Sequence, residues 1–413
     1  MPAIEIDSKL FAAALKRTAL VAPKKASIEV LRRVRLHVAA WGRILRVSAT
    51  DLDTFIEVCV PLPSAPALGI DVSVYPTELL AALKGLKGVV SFAVEDASLA
   101  KADAVIAGAD ACDVAGLSFV VDGTRRGGAW PGADFPAFPT LPAERHPVML
   151  APLLDALDRV VFAASCDAAR PTLCGVLVGS DAVVCTDGHR LASHPIENLD
   201  LGAPVIVPAR IAAKLAKLLA GETSAFVGVD TDVPRLSSFV GDAVRLSVRC
   251  TDATFPDYRQ VLPPEQHDGL RFSCSRDALL AILVPLEAQE KAACNRAADA
   301  ASTKEAADAV RWPKLHVVAD SGQVRVRGSC SGTVLAVPAT AIVPRAVVLD
   351  ATTEEPCALQ PAPGFFVQAL YLREAVKALP EGASIDIDQQ NDLSPVHLTC
   401  AGGGFHIIMP MRP

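Results

Sequence analysis

One structural plan recurs three times along the 413-residue chain, and this long-period repeat restricts the possible folds more than any other feature. Each third opens with an amphipathic helix: Ser8–Lys16, Ala151–Arg159 and Ser275–Leu283. In the first, Leu10, Ala14 and Leu15 fall at i, i+4 and i+5, the spacing of one apolar helix face, and Ser8 and Ser275 stand as N-caps. A second helix follows later in each third, over 76–86, 208–219 and 371–379. Gly85, Gly221 and Gly382 lie at or just beyond these ends, where a helix terminates best on glycine. Between the helices run alternating β-type stretches such as Ile44–Thr50 and Val324–Gly328. The fold class predicted is α+β, three tandem units over 1–138, 146–264 and 268–413, with proline-rich linkers at 135–147 and 262–269.

Composition narrows the functions. With 51% hydrophobic and 21% charged residues the chain is not disordered, and no apolar run approaches the length of a membrane helix. The N-terminus carries no basic stretch followed by an apolar one, so a cytoplasmic location is expected. A net charge of −7 excludes a uniformly basic nucleic-acid binder but not a local basic surface. Aromatic residues at 5% disfavour a base-stacking platform for single strands. The 11 cysteines show no C-x-x-C pair, and the spacing of Cys166, Cys174 and Cys185 fits no zinc template, so no metal and no cofactor are expected. Asp187 and His189 lie side by side without a nucleophile motif, and no phosphate-binding G-x-x-x-x-G-K-[ST] loop exists. Gly402–Gly404 precedes a strand and reads as a turn. No catalytic residue is expected.

Four motifs stand in order on this repeat: Ala133-Asp134-Phe135-Pro136, Val184–Ala192 with its Thr-Asp-Gly-His-Arg core, Phe255–Pro263, and the terminal Met409-Pro410-Met411-Arg412-Pro413. In these the chain resembles the beta sliding clamp of bacterial replicative DNA polymerase. The resemblance implies two chains closing head-to-tail into a six-unit ring, strands outside and helices lining a channel for double-stranded DNA. It implies a processivity factor that tethers polymerase, clamp loader and repair proteins, without catalysis of its own.

The second helices carry Lys84, Arg210, Lys214, Lys217, Arg373 and Lys377, with Lys87 just beyond the first, against only Glu78 and Glu374. Seven basic residues against two acidic ones, in an acidic chain, suit attraction to phosphates inside a ring that reads no sequence. By resemblance Lys25, with Lys24 beside it, matches a loop position that touches DNA, whereas Cys166 stands where relatives carry a polar contact residue. The resemblance also implies an apolar groove for short peptides of the Gln-x-x-Leu-Phe type. The matching residues are Leu173, Thr186, Gly188, His189, Arg190, Leu191, Pro256 and Val261 from the second unit. From the third unit they are Tyr371, Leu393, Pro395, Ile407, Met409, Pro410, Met411 and Arg412. Leucine, valine, isoleucine and methionine supply an adaptable lining, Gly188 permits close backbone approach, and Arg190 and Arg412 are expected to reach peptide carbonyls. Gln260 and Pro413 depart from the family pattern.

Two regions depart further. Residues 123–130 are rich in glycine and arginine where relatives close their ring through apolar residues. Residues 287–310 lack an apolar stripe and read as an inserted solvated helix or loop. Arg125 and Arg126 are expected to meet Glu287, Glu290 or Glu305 if both sides of the interface changed together. The alternative is a clamp-like interaction protein that keeps the groove without closing a standard ring.

Overall fold

The computed structural model describes residues 3–96, 117–197, 199, 201, 203–230, 236–262, 269–301, 303–320, 322–343, 364–391, 393–401 and 404–412. The chain divides into two compact units, residues 1–154 with 200–252, and residues 155–199 with 253–413.

The first unit is built on a 12-stranded antiparallel sheet. Its strands run in the order Ala3–Asp7, Val89–Asp96, Leu117–Val121, Thr124–Pro131, Ile70–Val74, Val34–Val38, Ile44–Thr50, Thr54–Pro61, Val244–Arg249, Leu236–Val240, Ser224–Asp230 and His146–Met149. Alternation drives this arrangement: in Ile44–Thr50, Leu45 and Val47 face the core while Ile44 and Arg46 face solvent. Strands from the first and second thirds join where Val58 pairs with Val244. Helix α1 (Ser8–Thr18) packs on the Ile44–Thr50 and Thr54–Pro61 strands, and α2 (Pro76–Leu83) packs on α1. The face that α1 buries is Phe11, Ala14, Leu15 and Thr18, while Leu10 is exposed, one residue of rotation from the expected face. Asp7, not Ser8, caps α1, its carboxylate accepting from the Lys9 and Leu10 amides; Ser8 is buried within the first turn.

The second unit carries an antiparallel run ordered Gly175–Val178, Ala182–Thr186, Arg190–Pro195, Phe405–Ile408, Val396–Cys400, Ser384–Gln389, Leu270–Ser275, Val334–Val343, Gln323–Gly328, Lys314–Asp320 and Gly364–Gln368. The C-terminal strand thus pairs with the one that follows the Thr-Asp-Gly-His turn, Leu191 opposite Ile407. Gly404 opens it: a Cβ there would lie 1.7 Å from the Ser193 carbonyl oxygen, so only glycine lets the strand enter. Gly402 and Gly403 lie outside the described residues.

The second-helix elements of the later thirds differ from each other. The expected helix 208–219 is two single turns, α4 (Ala209–Ala212) and α5 (Leu215–Leu218), joined where the Lys214 amide donates to the Ile211 carbonyl. α3 (Leu150–Val160) precedes them. The third of the repeat's opening helices, α6 (Arg276–Asp299), is far longer than predicted and is followed by α7 (Lys304–Val310), with α8 (Ala369–Ala378) packed on it. Ser275 caps α6 as expected, its hydroxyl accepting from the Ala278 amide. The segment 287–310 is largely helical, as one of the two expectations had it, but it is not wholly solvated: α6 continues through Pro285, and Glu290, Ala293 and Cys294 are buried. Gly85, Gly221 and Gly382 all adopt positive φ (+87°, +89° and +74°), as helix-ending glycines do. Among the described residues no helix is long and apolar enough to cross a membrane.

His406, buried on the C-terminal strand beside Phe162, has its imidazole pKa lowered to about 3, first by burial and then by His194 and Arg159. Burial lowers His194 and His316 as well. A histidine held neutral by the fold but free to protonate when unfolded gives stability that is complete above about pH 6.5 and lost as pH falls toward 3. The melting temperature is therefore expected to fall with acidification across that window. His406→Asn should flatten the slope, so that the gap between wild type and variant narrows at low pH. A gap unchanged from pH 7 to pH 4 would show that His406 does not titrate in this way.

Candidate peptide groove and basic surface

The Thr186–Arg190 turn is folded by its own side chains. The Asp187 carboxylate accepts from the His189 and Arg190 amides at 2.8 and 3.0 Å, and the Thr186 hydroxyl donates to the Arg190 carbonyl at 2.6 Å. Gly188 sits at φ +90°, open to glycine without strain. The chain terminus is pinned alongside: the Met409 amide donates to the His189 carbonyl, and the Met411 amide to the Phe366 carbonyl. These bonds place Met409, Pro410 and Met411 opposite the turn and α8.

The result is an open, mostly apolar groove of about 330 Å³ lined by His189, Trp312, Gln368, Tyr371, Met409, Pro410 and Met411. Its size and composition suit a pair of apolar side chains from an extended peptide, and both methionines can repack around different ones. Burial pushes the Tyr371 hydroxyl's pKa up, keeping it a neutral donor at the groove wall.

Five predicted residues meet here: His189, Tyr371, Met409, Pro410 and Met411. The others take different places. Leu191 and Ile407 pack with Val184 beneath the surface, covered by Phe255 and Tyr258. Leu173 is buried in the turn that follows Arg170, and Thr186 is buried as well. Pro256, Val261 and Leu393 are exposed, the last at 80%, and Pro395 is half-buried. Arg412 is exposed, and its carbonyl accepts from Lys314 Nζ at 3.3 Å.

Arg190 is engaged within the chain. Its side chain is only 10% exposed, and every nitrogen is engaged: Nε with Asp187 at 3.1 Å, one terminal nitrogen with Glu374, the other with the Phe162 carbonyl at 2.6 Å. The guanidinium also lies over the Tyr371 ring, 4.4 Å from its centroid. It holds the turn, α8 and Tyr371 together, with each of its three nitrogens bonded within the chain.

Trp312 and Gln368 were not read from the sequence. Trp312, one of three tryptophans, is 57% exposed directly after α7. A large exposed indole in an aromatic-poor chain was the available signal, but it lies next to the segment read as an insert.

The basic surface is mixed. Lys24, Lys25, Lys84, Lys87, Lys217 and Lys377 are all exposed. In the first unit Lys24, Arg210 and Lys214 border a concavity of about 420 Å³ with Asp51. Arg210 is held by Asp51 at 2.7 Å and Asp53 at 3.3 Å, and Lys214 Nζ donates to the Leu20 carbonyl. Arg373 is half-buried and paired with Glu287, which offsets its charge.

Of the three expected partners of Arg125 and Arg126, two are engaged within the chain, and Glu305 is exposed. Glu287 pairs with Arg373, and Glu290 is fully buried, accepting from backbone amides. Arg125 instead lies 3.5 Å from Glu95 of its own unit.

The fold is shared over the whole chain with solved clamp subunits. A family profile for the central domain of the DNA polymerase III beta subunit matches residues 149–257. The beta sliding clamp of Salmonella typhimurium is 32% identical over 165 residues, covering 36% of this chain and 44% of that protein. The clamp of Caulobacter vibrioides is 34% identical over 151 residues, covering 30% of this chain and 39% of that protein. The matched segments thus span less than half the length of these curated relatives. Over the full length, the solved DNA polymerase III beta subunit of Thermotoga maritima superposes with a TM-score of 0.75 at 17% identity, covering 100% of both chains. That of Pseudomonas aeruginosa gives 0.73 at 19%, covering 99% of this chain and 100% of the other. Residues 149–257 thus match the central domain of the DNA polymerase III beta subunit, and the chain as a whole shares the fold of the solved clamp subunits.

Proposed function

We propose that the protein is a sliding clamp: a processivity factor, without catalysis of its own, that encircles duplex DNA and tethers a polymerase and other partners through short linear peptides. The groove between the Thr186–Arg190 turn and the terminal Met409–Met411 segment carries this reading, because it brings two of the family's motifs to one apolar surface. In this reading the chain comprises three clamp units, 1–138, 146–264 and 268–413, and two chains close a six-unit ring. Exposed lysines on and just beyond the second helices, with those of the loop at 24–25, supply non-specific attraction to phosphates. Lys24, Lys25, Lys84, Lys87, Lys217 and Lys377 contribute most, since Arg210 and Arg373 already face carboxylates. Duplex affinity is expected to fall steeply and log-linearly with salt and to be indifferent to sequence. Sequence-selective binding that survives high salt would refute it.

A second reading has its own observation. With Glu287 and Glu290 engaged inside the chain, the exposed Arg125 and Arg126 have lost two of their expected partners across a ring interface. That favours a clamp-like interaction protein that keeps the groove without standard closure. Sedimentation equilibrium separates the two. The clamp reading predicts a species near twice 43.2 kDa at both micromolar and nanomolar concentration. A monomer at both would favour the second reading.

A further inference from the structure

The long helix α6 brings Glu290 and Cys294 onto one face, four residues apart, and lays them against the turn that follows the Gln323–Gly328 strand. That turn carries Cys330. The Cys294 and Cys330 sulfurs lie 3.3 Å apart, and Cys294 Sγ is 4.0 Å from Glu290 Oε1. Ligand atoms from all three residues fall within 4.8 Å of one another.

Glu290 is fully buried. Its Oε1 accepts from the Cys330 amide at 2.6 Å and its Oε2 from the Ser331 amide at 2.9 Å. These bonds fix the carboxylate without exhausting its lone pairs, and among the described residues no cationic side chain pairs with it. Gly328 makes room for it: a Cβ there would stand 2.3 Å from Oε2. A buried carboxylate beside two thiols is the environment that a bound cation neutralises.

We propose that Glu290, Cys294 and Cys330 form a binding site for a thiophilic divalent cation of the zinc class. Tetrahedral zinc with two thiolate ligands places the sulfurs about 3.7 Å apart, so the observed spacing needs a shift of only a few tenths of an ångström. A disulfide would need the sulfurs to close to about 2.05 Å and would leave the carboxylate without a role. Cys330 is exposed, which gives the ion an entry path and leaves a fourth position for water. Each thiol releases its proton to solvent as its sulfur–metal bond forms. Affinity should therefore rise with pH, by up to about 100-fold per unit for two protons released. The bound ion would tie the far half of α6 to the sheet and raise thermal stability.

The test uses the full-length, reduced, tag-free protein. Zinc binding is measured by competition with a chromophoric chelator, and Co²⁺ is used to read thiolate-to-metal charge-transfer absorption. The expected result is one ion per chain, a thiolate band with Co²⁺, and tighter binding at higher pH. Cys330→Ser, at an exposed position that leaves the fold intact by circular dichroism, should lose the band and weaken zinc binding at least tenfold. Cys294→Ser should do the same. The proposal fails if reduced wild type shows no thiolate band, if Cys330→Ser keeps it, or if the two cysteines pair as a disulfide with no metal uptake.

Discussion

Trp312→Ala is expected to weaken binding of a Gln-x-x-Leu-Phe peptide by about 30-fold while leaving the melting temperature within a degree or two. The indole is more than half exposed, so truncation removes little core contact. In the groove, however, it faces Tyr371 and Met411, where a buried aromatic anchor typically contributes about 2 kcal/mol to a peptide interface. Met411→Ala should act in the same direction, by about tenfold. Trp41, exposed in the first unit and remote from the groove in sequence, provides the control: Trp41→Ala should change neither quantity. Fluorescence anisotropy of a labelled peptide checks all three. Equal affinity for wild type and Trp312→Ala would place the peptide elsewhere.

Arg190→Ala is expected to lower stability by about 3 kcal/mol or more. The substitution leaves Asp187 and Glu374 without their cation and the Phe162 carbonyl without its donor, all within a part-buried network. For a unit of this size that corresponds to roughly 6–12 °C in melting temperature, readable by calorimetry. Arg190→Lys should recover only part of it, because a point charge cannot reach three acceptors in a fixed fork. Peptide affinity should fall as well, since the guanidinium supports the Tyr371 ring. If Arg190→Ala lost affinity with no loss of stability, the arginine would be a direct peptide contact.

The strands and the helix-ending glycines were legible because each rests on a local rule. Ile44–Thr50 alternates with the pleat of a half-buried strand, and the observed strand has those same bounds. The groove's two chain segments were found through their motifs rather than their physics, for nothing in Met409–Arg412 alone distinguishes a lining from an edge strand. Tertiary packing hid the remainder. The helix expected over Ser275–Leu283 runs on to Asp299, because Leu283 and Leu286 anchor α6 on either side of Pro285 and carry it through. The burial of Glu290 was likewise invisible, because its partners are backbone amides forty residues away. The internal bonding of Arg190 was hidden for a related reason: an arginine in a binding motif announces charge, while Glu374, which takes up that charge, lies on another helix.

In the proposed reading the protein holds duplex DNA by enclosing it. The most direct test loads the protein onto nicked circular duplex with a clamp loader and ATP, isolates the complex by gel filtration, and then cuts the circle once. A sliding clamp co-elutes with the circle and is released when it is linearised. Co-elution that persists on the linear DNA, or a failure to be retained on the circle at all, would contradict the account.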